Sequence, residues 1–319
     1  MDQNNLYGYP TLCLKTNLII SVRYYIIVLL LSNNCLPLWG VTNGSFENGT
    51  SLPSDWTLSS GGKGSWEVID SKYGQSITVI GANTNDRSYW QSRPLLWKPN
   101  ETYVLRFKAR RFGETQDGAL IVGPHFCNRD LRGPFYDWTS FHSVISVPGI
   151  PDPRTPIRLG QWQTSGTVAF DDVTLHRAYP VYATQDSLVL GNGENIDGLK
   201  YTFTAPYLEE TGNHSRPLKN QTATFNTNRW IFSGEREVLF EHSIHGHSQS
   251  EGYIKLSIGN FKAGRLLIDV SNNGKTFKAV GQAQSSGTFH WELPENFFPA
   301  DTISVRLRSI NTTSNSTPQ

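Results

Sequence analysis

The chain has 319 residues, of which 17% are charged and 12% are aromatic, and its formal net charge is +1 at pH 7. Because acidic and basic residues are interspersed, the charge pattern gives no basis for binding to nucleic acid or to a charged membrane surface. After removal of an N-terminal segment, the length suits two domains of about 140 residues each.

The first forty residues differ from the rest of the chain. Lys15 and Arg23 precede the apolar run 24–31, and a polar stretch follows it. This is the layout of a secretory signal, and the run is shorter than the ~20 residues that span a bilayer. We therefore predict residues 1–40 to be a signal peptide, with an uncleaved anchor as the alternative, and a secreted, cell-surface or periplasmic protein without a membrane span. Cleavage leaves Cys127 as the sole cysteine, so no intramolecular disulfide is expected.

Residues 41–178 have no helical periodicity. Short apolar runs alternate with clusters of Gly, Pro, Asn and Ser, which is typical of an all-β sandwich. The predicted strands are 76–80, 102–109, 119–122, 141–147 and 167–175. Prolines are concentrated in 148–156, and this predicts a loop near a sheet edge.

The last of these predicted strands contains a pair of acidic residues. Asp171 and Asp172 are neighbours, so their side chains point to opposite faces and one carboxylate turns toward the interior. An interior carboxylate needs a partner or a cation, because burial of an unpaired charge is costly. Glu47, in a turn-rich stretch near the start, offers a third carboxylate. The pattern favours a hard cation between the first and last strands. The alternative is that Asp171 faces solvent while Asp172 bonds a turn.

Three motifs of this half resemble a known family. They are NGSFENG at 43–49, PNETYVLRFKAR at 99–110 and SGTVAFDDVTL at 165–175. In order and spacing they resemble carbohydrate-binding modules of families 4, 9 and 22 over about residues 41–178. The resemblance implies a β-jelly-roll that binds sugars without cleaving them and is usually attached to a glycoside hydrolase. It also implies a structural calcium ion, with Glu47, Asp171 and Asp172 as its ligands.

Residues 182–310 predict a second β-sandwich, followed by a polar tail, 311–319, that is predicted to be disordered. Its predicted strands include 199–205, 223–226, 238–242, 253–258, 265–270, 277–280 and 302–307. Asn273-Gly274 predicts a tight hairpin. The stretch LLIDVSNNGKTFKAV resembles a hairpin of discoidin-like, galactose-binding sandwiches. The fold class is therefore all-β, with two tandem β-sandwich domains (jelly-roll, galactose-binding-like) after the signal segment.

A sugar site needs exposed aromatic rings, which stack on the apolar faces of sugars, beside planar hydrogen-bonding groups. Trp56 and Trp138 lie where structural tryptophans are expected. The polar stretch around Trp90 and the loop 125–136 combine aromatic, guanidinium and carboxylate groups. The candidate ligand-binding residues are Trp90, Arg129, Tyr136 and Trp162.

Two clusters in the second half have competing interpretations. His245 and His247 share a face if extended and are spaced for zinc, but Gly246 favours a turn with polar histidines. Residues 226–230 combine amides, a guanidinium and an indole, as in a second ligand patch. Equally, Trp230 and Phe232 pack in a core while Arg229 pairs with Glu235 or Glu237.

The two sandwiches occupy the whole mature length, and no pair of carboxylates converging on a cleft and no nucleophile motif is evident. We therefore predict a non-catalytic protein that binds poly- or oligosaccharide, as an accessory to glycoside hydrolysis. One alternative is a small polysaccharide lyase or hydrolase that uses His242, His245 or Tyr136 with Arg129. The other is an adhesive or structural surface protein without a glycan ligand.

Overall fold

A computed structural model of the chain describes residues 40–82, 87–112, 118–132, 135–150, 154–185, 188–207 and 212–310. The predicted signal segment and C-terminal tail lie outside the described residues, except for Gly40. Within the described ranges the chain is all-β, and its one helical element is a single 3₁₀ turn at Glu295–Phe297. The predicted fold class of two tandem β-sandwiches is confirmed.

The described residues of the first half form ten strands. They are β1 (Trp56–Leu58), β2 (Trp66–Asp70), β3 (Gly74–Ala82), β4 (Arg87–Ser92), β5 (Thr102–Phe112), β6 (Ala119–Gly123), β7 (Cys127–Leu131), β8 (Thr139–Ser146), β9 (Arg158–Trp162) and β10 (Ser165–Ala178).

These strands form two facing sheets, one in the order β2-β3-β10-β5-β8 and the other beginning β1-β4-β9-β6-β7. Along β5, Tyr103, Leu105, Phe107 and Ala109 are buried while the residues between them are half-buried. This period of two is what a strand with one face on the core requires. Trp90 from the opposite sheet is completely buried in the same core.

The N-terminal segment closes the sandwich against β10. The amide of Val173 donates to the carbonyl of Gly44 at 2.8 Å. A side chain at position 44 would meet the backbone of Val173, because a Cβ there lies 1.9 Å from the Val173 carbonyl oxygen. Gly44 therefore permits the close approach of the first segment to the last strand.

In the second half, thirteen strands lie within the described ranges. They are β11 (Ala183–Gln185), β12 (Leu188–Leu190), β13 (Glu194–Asp197), β14 (Lys200–Phe203), β15 (Leu218–Gln221), β16 (Thr224–Asn226), β17 (Arg229–Ile231), β18 (Glu237–Ser243), β19 (Tyr253–Ile258), β20 (Arg265–Ser271), β21 (Lys278–Ala283), β22 (Gly287–Glu292) and β23 (Thr302–Ile310).

The second sandwich is built on a five-stranded sheet in the order β15-β18-β23-β20-β21, packed against the two-stranded sheet β19-β22. Gly281 of β21 lies against the indole of Trp291 of β22, where a Cβ would be 2.4 Å from Nε1. The predicted hairpin joins β20 to β21. Its loop is longer than the two residues that Asn-Gly suggested, because the Asn273 side chain accepts the amides of Lys275 and Thr276 and so holds a wider turn.

The halves are joined on two sides of the first sandwich. The hairpin β16–β17 adds two strands to the first sandwich, so that its second sheet becomes seven-stranded, β1-β4-β9-β6-β7-β16-β17. At the other side, the Asn213 side chain accepts the amide of Ser146 at 2.7 Å and donates to its carbonyl at 2.9 Å. Asn213 thus satisfies backbone groups on β8, an edge strand whose unpaired backbone would otherwise be exposed to other chains. The predicted division near residues 178–182 falls at the end of β10. The prediction did not include the addition of the β16–β17 hairpin to the sheet of the first sandwich.

Candidate functional site

The outer face of the seven-stranded sheet carries a band of polar and aromatic side chains, here called the polar face. In β4, Ser88, Trp90 and Ser92 are buried while the residues between them are not. Cross-strand partners in a sheet point to the same side, so the register of β4, β9, β6 and β7 fixes the membership of the face. Its members are Arg87, Tyr89, Gln91, Ile121, Asn128, Asp130, Arg158 and Trp162.

Arg158 is the fixed centre of the polar face. Its guanidinium donates to the backbone carbonyls of Gly123 and Pro124 and to Oδ1 of Asn128, each at 3.2 Å. The Asn128 amide in turn donates to Asp130 at 2.7 Å. Burial lowers the pKa of Arg158, but a guanidinium keeps its charge in proteins. The hydrogen bonds hold these planar groups in place before any ligand arrives.

Trp162 supplies an exposed ring at the end of β9. It is 40% exposed, and its cross-strand neighbours are Arg87 on β4 and Ala119 on β6. Between Trp162 and Arg158, Gly160 lies directly opposite Tyr89. A Cβ at position 160 would lie 2.3 Å from the Cβ of Tyr89, so glycine leaves room here for the tyrosine. The face therefore combines an exposed indole, a tyrosine and planar polar groups on one rigid sheet.

The structure separates the four predicted ligand-binding residues. Trp162 lies on the polar face. Arg129 lies on the inner side of β7, opposite the buried Val122, and donates to the carbonyl of His142 in the other sheet at 3.1 Å. Tyr136 is 52% exposed in the loop before β8, and its carbonyl accepts from Arg110.

Trp90 corrects our prediction that it lies on an exposed surface. It is completely buried, and its indole N–H donates to the carbonyl of Thr78 at 2.8 Å. The polar stretch around it was identified correctly, but the wrong alternate residues were assigned to the surface. Arg87, Tyr89 and Gln91 face outward because strand side chains alternate, and that alternation was the signal that sequence reasoning missed. Trp56 packs on Phe46 in the core, as predicted for a structural tryptophan.

Two of the three predicted cation ligands, Glu47 and Asp171, meet at the seam between the N-terminal segment, β3 and β10. Asp171 is 1% exposed and accepts from the Ser76 hydroxyl at 3.1 Å and the Asp172 amide at 2.7 Å. Burial, with smaller contributions from the charges of Asp172 and Glu47, raises the pKa of Asp171 to about 7. The expectation that one carboxylate turns inward is confirmed, and the alternative of a solvent-facing Asp171 is wrong.

Glu47 reaches the same seam. Its carboxylate accepts the Gln75 amide at 2.8 Å and occupies the space that a side chain at Gly74 would fill, with a Cβ only 2.2 Å from Oε1. The side-chain oxygen of Gln75 is buried without a hydrogen-bond partner. The seam therefore presents carboxylate oxygen atoms from Glu47 and Asp171, and oxygen is the donor type that calcium requires.

Asp172 lies apart from this oxygen set. The pairing of β10 with β5 shifts register between Asp171 and Thr174, and Asp172 adopts a left-handed φ of 50° within this bulge. Its exposed carboxylate forms an ion pair with Lys108 at 2.7 Å. Within the described residues, no group of three or more His, Cys, Asp and Glu side chains is arranged to hold a metal ion.

The histidines of the second half do not form one site. His242 is turned toward Tyr201, whose hydroxyl lies 3.1 Å from Nδ1 of His242. Burial lowers the pKa of His242 to about 4. His245 and His247 are exposed in a turn around Gly246, which has a φ of 78°, so the turn interpretation is confirmed. Tyr201 also donates to Glu194 at 2.6 Å, and Glu194 is paired with Arg216.

No protein-family model and no curated protein sequence matches the chain. Among solved structures, it is similar to a family 16 carbohydrate-binding module (18% identity, TM-score 0.35), covering 43% of this chain and 98% of that one. It is similar to the tandem CBM22-1–CBM22-2 domain of Paenibacillus barcinonensis Xyn10C (11% identity, TM-score 0.36), covering 87% and 91% of the two chains.

A third similar structure is Clostridium thermocellum Xyn10B, with CBM22-1 and GH10 modules, complexed with xylohexaose (15% identity, TM-score 0.35, 46% of this chain and 30% of that one). Family 22, to which modules of two of these structures belong, is one of the families that the sequence motifs resemble. Sugar binding is a property of those proteins. The part of the chain that the structure describes has no helix long and apolar enough to cross a membrane.

Proposed function

We propose that the protein binds an oligo- or polysaccharide on the polar face and has no catalytic activity of its own. The observation that carries the proposal is the position of exposed Trp162 beside Arg87, on the same sheet surface as Tyr89 and the fixed Arg158. An exposed indole stacks on the apolar face of a sugar ring, and fixed amide, guanidinium and carboxylate groups hydrogen-bond its hydroxyls. The sugar-binding neighbours support the choice of ligand class only as a proposal.

The test is retention of the protein on immobilised xylan, mixed-linkage β-glucan, cellulose and pectin, followed by titration with the polysaccharide that retains it. We expect Trp162→Ala to weaken binding about tenfold, because a stacked aromatic ring contributes up to about 1.5 kcal/mol beyond its buried area. Tyr253→Ala is the matched control, since Tyr253 is 49% exposed on the second sandwich.

Retention that survives in Trp162→Ala and is lost in Tyr253→Ala would move the site to the second sandwich. If no polysaccharide retains the wild-type protein, the proposal fails for these glycans and an adhesive or structural role becomes the better account. Loss of binding in Tyr136→Ala alone would place the site beside β8, as one of our sequence predictions had it.

We also propose that calcium binds at the seam as a stability element, through Glu47 and Asp171, with backbone carbonyl oxygens completing its shell. The donors fit because both are carboxylates, and the hydrogen bonds that Asp171 accepts come from a hydroxyl and an amide, while the ammonium group of its neighbour Lys108 is paired with Asp172. A bound cation offsets the cost of that buried charge and ties the first segment to the last strand. The melting temperature should fall on addition of chelator and recover with calcium.

The accessory role in glycoside hydrolysis and the export of the protein remain proposals. Export rests on residues 1–40, whose basic, apolar and polar order favours a secretory signal. N-terminal sequencing of the secreted protein tests it, and a start near residue 41 is the expected result.

A further inference from the structure

The polar face does not end with the strands of the first sandwich. The hairpin β16–β17 belongs to the second half of the chain, and it continues the same sheet beside β7. Asn226 of β16 lies opposite Asn128 of β7 on one side and opposite Arg229 of β17 on the other. We propose that Asn226 and Arg229 bind the ligand, so that the binding face is composite and takes an extended oligosaccharide. This inference rests on the proposed function of the polar face.

The hairpin is attached to the polar face by its backbone. Phe225 donates its amide to the carbonyl of Phe126, and Thr227 donates to the carbonyl of Asn128, both at 2.8 Å. The Thr227 hydroxyl accepts the amide of Asp130 at 2.9 Å. These bonds fix the register of β16 on β7, so the outward residues of the hairpin cannot shift relative to those of the first sandwich.

The inner side of the hairpin is equally fixed. Phe225 and Trp230 are buried, with ring centroids 5.1 Å apart, and the Trp230 indole donates to the Tyr207 hydroxyl at 2.9 Å. The prediction that Trp230 packs in a core is therefore confirmed. Because its neighbours Asn226 and Arg229 alternate with these buried rings, they point to the outer side.

The side chains themselves are linked across the boundary. Asn128 donates its amide to Oδ1 of Asn226 at 3.0 Å, and its own Oδ1 accepts from Arg158. Oδ1 of Asn226 also accepts from the Thr227 hydroxyl at 3.0 Å, which holds its amide plane. Arg229 is exposed and donates to Oδ1 of Asn228. The 226–230 cluster is thus a continuation of the polar face, rather than a separate second patch.

One row of the face runs across the strands, perpendicular to them. It contains Gln91, Arg158, Gly123, Asn128, Asn226 and Arg229. Strands in a sheet lie about 4.8 Å apart, so the six strands of this row span about 24 Å. A short oligosaccharide held at Trp162 and Arg158 ends before the hairpin, whereas a longer one reaches it.

The experiment compares a hexasaccharide with a trisaccharide of the polysaccharide that retains the wild-type protein; for xylan these are xylohexaose and xylotriose. Full-length Arg229→Ala and Asn226→Ala are titrated with both by calorimetry. We expect each to bind the hexasaccharide about three- to tenfold more weakly, the effect of one or two lost hydrogen bonds, and the trisaccharide as the wild type does. Arg106→Ala is the matched control, since it removes a guanidinium from the outer side of β5 in the opposite sheet.

Unchanged hexasaccharide affinity in both hairpin variants, with binding lost in Trp162→Ala, overturns the composite face and leaves the proposed function standing. A wild-type protein that binds none of the glycans overturns both. An equal loss for the two ligand lengths also counts against the inference, because it indicates a disturbed fold rather than a lost end contact. The Asn226 and Arg229 variants are compared by melting temperature to separate these effects.

Discussion

Each sandwich has a buried aspartate in a central strand, and the two aspartates have different hydrogen-bond partners. Asp269 of β20 is 2% exposed and accepts hydrogen bonds from Arg306 at 2.9 Å and Arg308 at 2.8 Å, both on the adjacent β23. Asp171 of β10 is equally buried, but its cross-strand neighbour Lys108 is paired with Asp172 instead. The second sandwich therefore supplies cations for its buried carboxylate from its own sheet.

The bulge in β10 explains the difference. Asp171 lies opposite Lys108 across the ladder, as Asp269 lies opposite Arg306. The register shift after Asp171 brings Asp172 to Lys108 and leaves Asp171 with a hydroxyl and an amide as donors. Bulges re-aim side chains in this way. We infer that a metal ion would stabilise the protein most at Asp171, whose hydrogen bonds come only from uncharged donors.

The largest expected effect is the pH dependence that Asp171 gives to the protein in chelator. Its folded-state pKa of about 7 lies above its ordinary value of 3.8, so the folded state binds the proton more tightly than the unfolded chain does. This contributes no penalty below pH 3.8. The free energy of unfolding then falls as the pH rises from 3.8 to about 7, by about 4 kcal/mol in total, and is level above that.

The measurement is chemical denaturation of wild type and Asp171→Asn between pH 4 and 8, since the variant cannot titrate at this position. In chelator, the free energy of unfolding of the wild type relative to Asp171→Asn should fall with rising pH as predicted. With calcium present, this difference should not depend on pH. A difference that is flat in chelator, or one that calcium leaves unaltered, contradicts the proposed seam site.

The second effect is the loss of the buried ion pair at Asp269. Asp269→Ala leaves the guanidinium groups of Arg306 and Arg308 without their carboxylate, and breaking a buried pair in this way costs about 3 to 5 kcal/mol. Both arginines are partly exposed, which favours the lower figure. The loss in unfolding free energy should be the same with calcium and with chelator. A calcium-dependent loss would mean that the two buried aspartates are not independent.

The sequence predicts the fold class and many strands because burial on one face imposes a period of two, clearest in β5. It also predicts that one member of the 171–172 pair is interior. It does not predict which one, because a bulge depends on how two strands are aligned. The same limit applies to Trp90, where a shift of one residue exchanges the surface and core residues of β4.

The composite face was beyond sequence reasoning for another reason. The cluster at 226–230 was recognised as a candidate patch, but its position beside Asn128 depends on a parallel pairing between segments almost a hundred residues apart. Such long-range pairings leave no local pattern in the sequence. Trp162 is exposed, as a residue that stacks on a sugar must be, because an aromatic side chain in a polar stretch is a local feature of the sequence; its role in binding stays a prediction.

The smallest expected effect concerns Asp172, the third predicted calcium ligand. Its carboxylate is about half exposed and paired with Lys108, so Asp172→Ala should lower the free energy of unfolding by less than about 1 kcal/mol. Because Asp172 is directed to Lys108 rather than to the oxygen atoms of the seam, the rise in melting temperature on adding calcium should persist in this variant. In Glu47→Gln that rise should shrink. A calcium response that disappears in Asp172→Ala would instead mean that the carboxylate leaves Lys108 to bind the ion, which would restore the ligand set implied by the family resemblance.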